Sequence, residues 1–271
     1  MQSRSTEVDG IQMRWEESGA EDPVVFVHGI PTSPRLWRHV APRVEGARSL
    51  AWEMVGYGGS IAEGADRDIS VGRQAEYLAT WMRQTGLGEG AVICGHDLGG
   101  GVAQILAVRH PELVRGLVLT NSICYDSWPI AGVRALRAAG PLAERMPPEM
   151  FRRVYRAFLG LGHDDRGMFE ESVAEHLPFY ERADGAAAMV RQARSLDSAD
   201  TMAVADGLQR LDVPARIVWG TADKFQPIGY GYRLAYELGA TLERVEGGKH
   251  FTPEDHPEPI ARAVRSVLEE T

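Results

Sequence analysis

Residues 92–101 read VICGHDLGGG, an apolar run that breaks into glycine, a single aspartate and further glycines. A strand ending at Gly95, a sharp turn on Asp97 and a helix beginning soon after would have the shape of a nucleophile elbow, with Asp97 where the common pattern has serine. Glycines two before and two after the central residue let two backbones pass closely while that residue holds a strained turn. Asp is also a favoured helix cap, so these ten residues alone leave both readings open. The rest of the chain decides, because an elbow needs partners.

Those partners follow in a telling order. WGTADKFQP (219–227) carries Asp223 just after the apolar run ARIVWG, and GGKHFTPEDHP (247–257) carries His250 just after TLERVEG. The order nucleophile, acid, histidine resembles that of the α/β-hydrolase fold. Upstream, VFVHGIPTSPRLW (25–37) places HGIP at the end of another apolar run. The resemblance implies an oxyanion hole made by the backbone N–H groups of Ile30 and Leu98, with Pro31 setting the turn. His28 reads as a brace for this loop.

The pattern along the chain agrees with that fold class. TEVDGIQMRW alternates about an Asp-Gly turn signal and predicts a hairpin. Short apolar runs then recur at 24–28, 49–54, 91–95, 116–121, 215–220 and 241–247, separated in several places by helical stretches such as 72–85 and 99–109. Runs without clean alternation suit strands buried on both faces, hence a mostly parallel sheet flanked by helices. From 125 to 210 the strand rhythm stops, and segments such as MPPEMFRRVYRAF have helical spacing. The expected organisation is an α/β core over 1–124, a helical lid over 125–210 and the remainder of the core over 211–271.

Composition narrows the partners. The chain has 271 residues, with 29 Lys and Arg against 38 Asp and Glu, a net charge of -9, and its cations are dispersed, which argues against nucleic acid. The two cysteines, Cys94 and Cys124, each sit at or just after an apolar run and read as buried small hydrophobes, fitting a reducing compartment. No stretch has the apolar length of a signal peptide core or a membrane span, so the expectation is a soluble cytoplasmic protein without a membrane partner. A homodimer is left open. His163, His176 and His256 read as surface or lid residues, and no spacing suggests a zinc site.

HGxP together with GHDxGG resembles the aspartate-nucleophile branch of the α/β-hydrolases, the epoxide hydrolases and haloalkane dehalogenases. The chemistry of a carboxylate agrees with this. Attack on an ester would give an anhydride, whereas attack on a saturated carbon gives an alkyl ester that water can hydrolyse. Asp97 would displace a leaving group, and His250, oriented by Asp223, would activate water against the ester. The helix N-terminus is expected to keep Asp97 ionised.

The leaving group separates the two families. The resemblance implies that dehalogenases carry side-chain halide donors directly after the nucleophile and in the HGxP slot, where this chain has Leu98 and Ile30. It further implies a lid tyrosine as the acid of epoxide hydrolases, and RRVYRAF puts Tyr155 at the matching position, with Phe158 three residues later. Where a second tyrosine is usual this chain has Ala193, so Tyr180 is the next candidate in the substrate pocket and Tyr125 a weaker one. The expectation is therefore an epoxide hydrolase using Asp97, Asp223, His250 and Tyr155, acting on a small apolar substrate with water and without metal or cofactor. The alternatives are a haloalkane or haloacid dehalogenase with the same triad, and a noncatalytic receptor for a small ligand.

Overall fold

The structure, a computed structural model, describes residues 1–271. Eight strands form one sheet: β1 (Gln2–Val8), β2 (Ile11–Ser18), β3 (Asp22–Val27), β4 (Ala47–Trp52), β5 (Ala91–His96), β6 (Val114–Thr120), β7 (Ala215–Gly220) and β8 (Thr241–Val245). Their spatial order is β1-β2-β4-β3-β5-β6-β7-β8, antiparallel from β1 through β2 to β4 and parallel thereafter. The hairpin turns on Asp9 and Gly10, both at positive φ (49° and 73°), the conformation a two-residue turn demands. This is the α/β-hydrolase fold.

Alternation along the central strands divides the core in two. Val25, Val27, Ile93, Leu117 and Leu119 face one layer, which α1 (Val71–Gln84), α2 (Leu98–Arg109) and α9 (Ile228–Glu237) complete. Val24, Phe26, Val92, Cys94 and Val118 face the other, covered by α11 (Pro257–Leu268). Because both faces are covered, these strands read as unbroken apolar runs.

Between β6 and β7 the chain has helices only: α3 (Ala131–Glu144), α4 (Pro148–Gly162), α5 (Arg166–Arg182), α6 (Gly185–Arg194) and the single turns α7 (Ala199–Met202) and α8 (Ala205–Leu208). Phe151, Tyr155, Leu159 and Tyr180 of these helices join the second core layer. The helical segment also meets the sheet domain through charge. Glu254, on the short helix α10 (Thr252–Asp255), is fully buried and pairs with Arg38, with His176 Nε2 at 3.2 Å and with His163 Nε2 at 3.4 Å. Ser33 Oγ and His176 Nδ1 share a further hydrogen bond of 2.9 Å. His163 and His176 are therefore interior residues of the seam and not surface ones. His256, by contrast, is partly exposed and faces Asp164 at 3.0 Å.

Burial by itself would raise the Glu254 pKa, but His176, Arg38 and His163 outweigh it and hold the carboxyl down at about 2. A folded-state pKa below the ordinary value of 4.5 stabilises the protein above that value, and the stabilisation disappears as pH falls towards 2. The pair of values corresponds to about 3 kcal/mol at neutral pH. Urea denaturation should show stability falling across this acid window in the wild type. Glu254→Gln should be less stable at neutral pH and fall less steeply on acidification.

Candidate active site

The turn between β5 and α2 is as tight as the glycines suggested. Asp97 sits at φ 51°, ψ -120°, a region that favours glycine and that a non-glycine residue holds only under constraint. Beneath it, a Cβ on Gly99 would lie 2.0 Å from the Val27 carbonyl oxygen, and one on Gly95 would lie 2.5 Å from the Gly99 oxygen. Only glycine permits the first turn of α2 to press against the end of β3. That contact carries the Asp97 side chain over the loop that follows β3. The Ile30 N–H donates to Asp97 Oδ2 at 3.0 Å, and the Leu98 N–H holds the same carboxylate. His28 does brace this loop: its Nδ1–H donates to the Gly29 carbonyl at 3.0 Å while Nε2 accepts the Met54 N–H at 3.2 Å.

Asp223 and His250 arrive from the ends of β7 and β8. His250 Nδ1–H donates to Asp223 Oδ2 at 2.9 Å, which leaves Nε2 facing Asp97 Oδ1 at 4.0 Å. Asp223 is itself fixed, with Oδ1 accepting the Phe225 and Gln226 N–H groups at 2.7 and 3.0 Å and Oδ2 accepting Asn121 Nδ2 at 2.7 Å. His96 Nε2–H donates to the His250 carbonyl at 2.9 Å, and burial takes this imidazole down to a pKa of about 3, so it braces the site as a neutral ring.

The two oxygens of Asp97 are thus distinct. Oδ2 accepts the Ile30 N–H, and Oδ1 lies beyond hydrogen-bond reach of His250. Burial pushes the Asp97 carboxyl above its ordinary pKa, against the opposing pull of His250 and the two N–H groups. The helix terminus contributes about 0.3–1 kcal/mol, less than the desolvation it opposes, so burial sets the direction of the shift. Burial would lower the His250 pKa, but Asp223 first and Asp97 second raise it above the ordinary 6.5. Burial would likewise raise Asp223, yet His250, Asn121 and the Gln226 N–H bring it below the usual range.

A cavity opens beside Asp97. Its walls are mainly apolar, including Ile123, Trp128, Ile130, Phe158 and Phe225, the last two stacked at 4.9 Å. Asp97, His250, Ile30 and Leu98 all line it. The tyrosines do not. Tyr155 is fully buried in the core layer and its hydroxyl donates to the Pro31 carbonyl at 2.9 Å; Tyr180 donates to Gln192 Oε1 at 2.9 Å and Tyr125 to Glu237 at 2.6 Å. Each phenol is satisfied elsewhere, so neither the acid role for Tyr155 nor the pocket role for Tyr180 has support in this geometry. Phe158 occupies the roof instead.

Three residues of the site went unnoticed in the sequence. Asn121 follows β6 at φ 43°, and its amide orients Asp223; an Asn at a strand end was the available signal. Trp128 lines the cavity with its Nε1–H committed to Thr201 Oγ1 at 2.8 Å. Gln226, three residues after Asp223, also lines it, and no pattern marked it.

Residues 22–257 match the α/β hydrolase fold family, and the chain belongs to it. It is 25% identical over 251 residues to the dihydrolipoyllysine-residue acetyltransferase component of the acetoin cleaving system of Cupriavidus necator, covering 91% of this chain and 63% of that protein. It is 31% identical over 120 residues to a haloalkane dehalogenase of Sphingobium indicum, covering 43% of this chain and 40% of that one. The chain thus spans less than two thirds of the length of these curated relatives. The crystal structure of haloalkane dehalogenase DbeA from Bradyrhizobium elkani superposes with a TM-score of 0.82 at 25% identity, covering 99% and 97% of the two chains.

Since two carboxylates raise His250, its titration reports the geometry directly. The imidazole should titrate above 6.5 by NMR. Asp97→Asn should move the midpoint down, and Asp223→Asn should move it down further, because Asp223 is both charge and hydrogen-bond partner. A midpoint that ignores Asp97→Asn would separate the two residues.

Proposed function

We propose that the protein hydrolyses a small apolar alkyl electrophile through an ester on Asp97, and that the leaving group is a halide. The observation that carries this reading is the division of the Asp97 carboxylate, with Oδ2 held by the Ile30 N–H and Oδ1 4.0 Å from His250, beside a cavity that no phenol lines. In the first step Oδ1 forms a bond to the saturated carbon as the carbon–halogen bond breaks, and the halogen departs with the bonding pair. No proton is needed. The ester carbonyl is then Oδ2, already held by the Ile30 N–H where negative charge develops next. His250 Nε2 takes a proton from water, the hydroxide adds to the Asp97 carbonyl carbon, and the alkoxide leaves with the proton from His250. The products are an alcohol, a halide and a released proton, with the water oxygen left on Asp97.

Epoxide opening is the second reading, supported by Ile30 and Leu98, which lack the side-chain halide donors that the dehalogenase resemblance would imply. Magnitude favours the halide. An epoxide leaves as an alkoxide, far more basic than a phenol of pKa about 10, and the cavity offers no acid beside His250 to receive it.

Single turnover of excess enzyme with butyl bromide in water enriched in heavy oxygen should place the label in the peptide containing Asp97 and release bromide. Label found only in the alcohol would eliminate the ester. Turnover of styrene oxide without bromide release from butyl bromide would return the reading to the epoxide.

His250 enters only at the second step. His250→Gln should therefore still be alkylated, gain the mass of the butyl group, and lose ester hydrolysis by at least about 100-fold. A folded variant that loses both steps would overturn this division of roles.

A further inference from the structure

Of the polar side chains on the cavity wall, Asp97 and His250 are used by the reaction and Trp128 Nε1–H is spent on Thr201. Gln226 remains. It is 2% exposed, its Oε1 is buried with no partner, and its Nε2 donates to no group of the protein. An amide buried in this way is destabilising unless something pairs with it. Its backbone is in the opposite condition. The N–H donates to Asp223 Oδ1 at 3.0 Å and the carbonyl accepts Trp219 Nε1–H at 2.8 Å, so the main chain is pinned on both sides, on one of them by the acid of the triad. The result is a free amide on a rigid mount at the wall of the reaction cavity. Turning that amide by half a revolution exchanges Oε1 and Nε2 without breaking any hydrogen bond, so the N–H pair can face the cavity.

We infer that Gln226 is the donor to the departing atom in the alkylation step, an inference that rests on the reading of Asp97 given above. As Asp97 Oδ1 bonds to carbon, the halogen leaves with the carbon–halogen pair and accepts a hydrogen bond from Gln226 Nε2–H. No proton is transferred. A neutral donor suits a site whose nucleophile is an anion: a lysine or arginine here would pair with Asp97 and restrain it, whereas an amide stabilises the leaving anion and leaves the carboxylate free. This would supply the side-chain halide contact that Ile30 and Leu98 cannot make.

The test uses His250→Gln as the background, because it traps the ester and isolates the first step. Ester formation from butyl chloride, bromide and iodide is followed by intact-protein mass with and without Gln226→Leu. The expected result is a loss of at least about 100-fold for the chloride, shrinking through bromide to iodide, since the poorest leaving group depends most on the donor. Equal rates overturn the inference, and so does an equal loss for all three halides, which would mark Gln226 as a packing residue. Should Gln226→Leu fail to fold, Gln226→Met keeps the length of the side chain and carries no donor. It should show the same graded loss, and unchanged rates would overturn the inference. If the background variant forms no ester from any halide or from styrene oxide, the proposed function fails and takes this inference with it. If ester forms equally fast with and without the amide, the inference falls alone.

Discussion

The site rests on one steric contact, the passage of Gly99 over the carbonyl oxygens at the end of β3, where a methyl group would come within 2.0 Å of the Val27 oxygen. That approach fixes the distance between the β5 elbow and the loop after β3, and therefore places the Ile30 N–H against the Asp97 carboxylate. The same closeness forces Asp97 to φ 51°. Such a conformation costs on the order of 1–3 kcal/mol and persists only where the surroundings over-determine it. Here they do: the Asp97 carbonyl accepts the N–H groups of Gly100, Gly101 and Ile123 at 3.0, 3.3 and 3.1 Å. Strain, oxyanion hole and nucleophile direction are consequences of one packing event.

Electrostatics then works within that frame. A buried carboxylate is expensive, and the rise in the Asp97 pKa records the cost. The compensation is local and directional: the Ile30 N–H on one oxygen, an imidazole near the other, and the Leu98 N–H on the same carboxylate. Because the Ile30 N–H already holds Oδ2 in the resting protein, it would be in place when that oxygen becomes the carbonyl of the proposed ester. His250 is raised by Asp223 and Asp97 together, and in the proposed reaction it would lose the Asp97 contribution once the ester forms, which suits it to accept a proton from water.

The sequence made the frame legible and left the roof obscure, for a physical reason. Elbow, acid and histidine all lie where strands end, and strand order with Gly spacing dictates which backbone groups meet there. Asp97, Asp223, His250, Ile30 and Leu98 could be read in this way. A helix in the lid carries no such constraint. Tyr155 and Phe158 lie three apart on α4, on neighbouring faces; Phe151, Tyr155 and Leu159, at four-residue spacing, form the stripe that packs down, and Phe158 turns to the cavity. Periodicity identifies the stripe but not which of two buried environments it enters. His176 and His163 do lie in the lid segment, but their burial against Glu254 is a tertiary fact that periodicity does not carry.

Tyr155 nevertheless belongs to the site's construction. Its hydroxyl holds the Pro31 carbonyl, one residue beyond the Ile30 N–H that grips Asp97, so α4 and the oxyanion loop are tied by a hydrogen bond inside the core layer. Burial drives its pKa far up, the opposite of what a proton donor to a leaving group requires. A phenol so placed contributes order, by holding the lid to the loop that carries one oxyanion N–H. Apart from Asp97 and His250 themselves, the side chains on the cavity wall cannot give up a proton. The halide proposed above as leaving group, which needs none, suits such a wall.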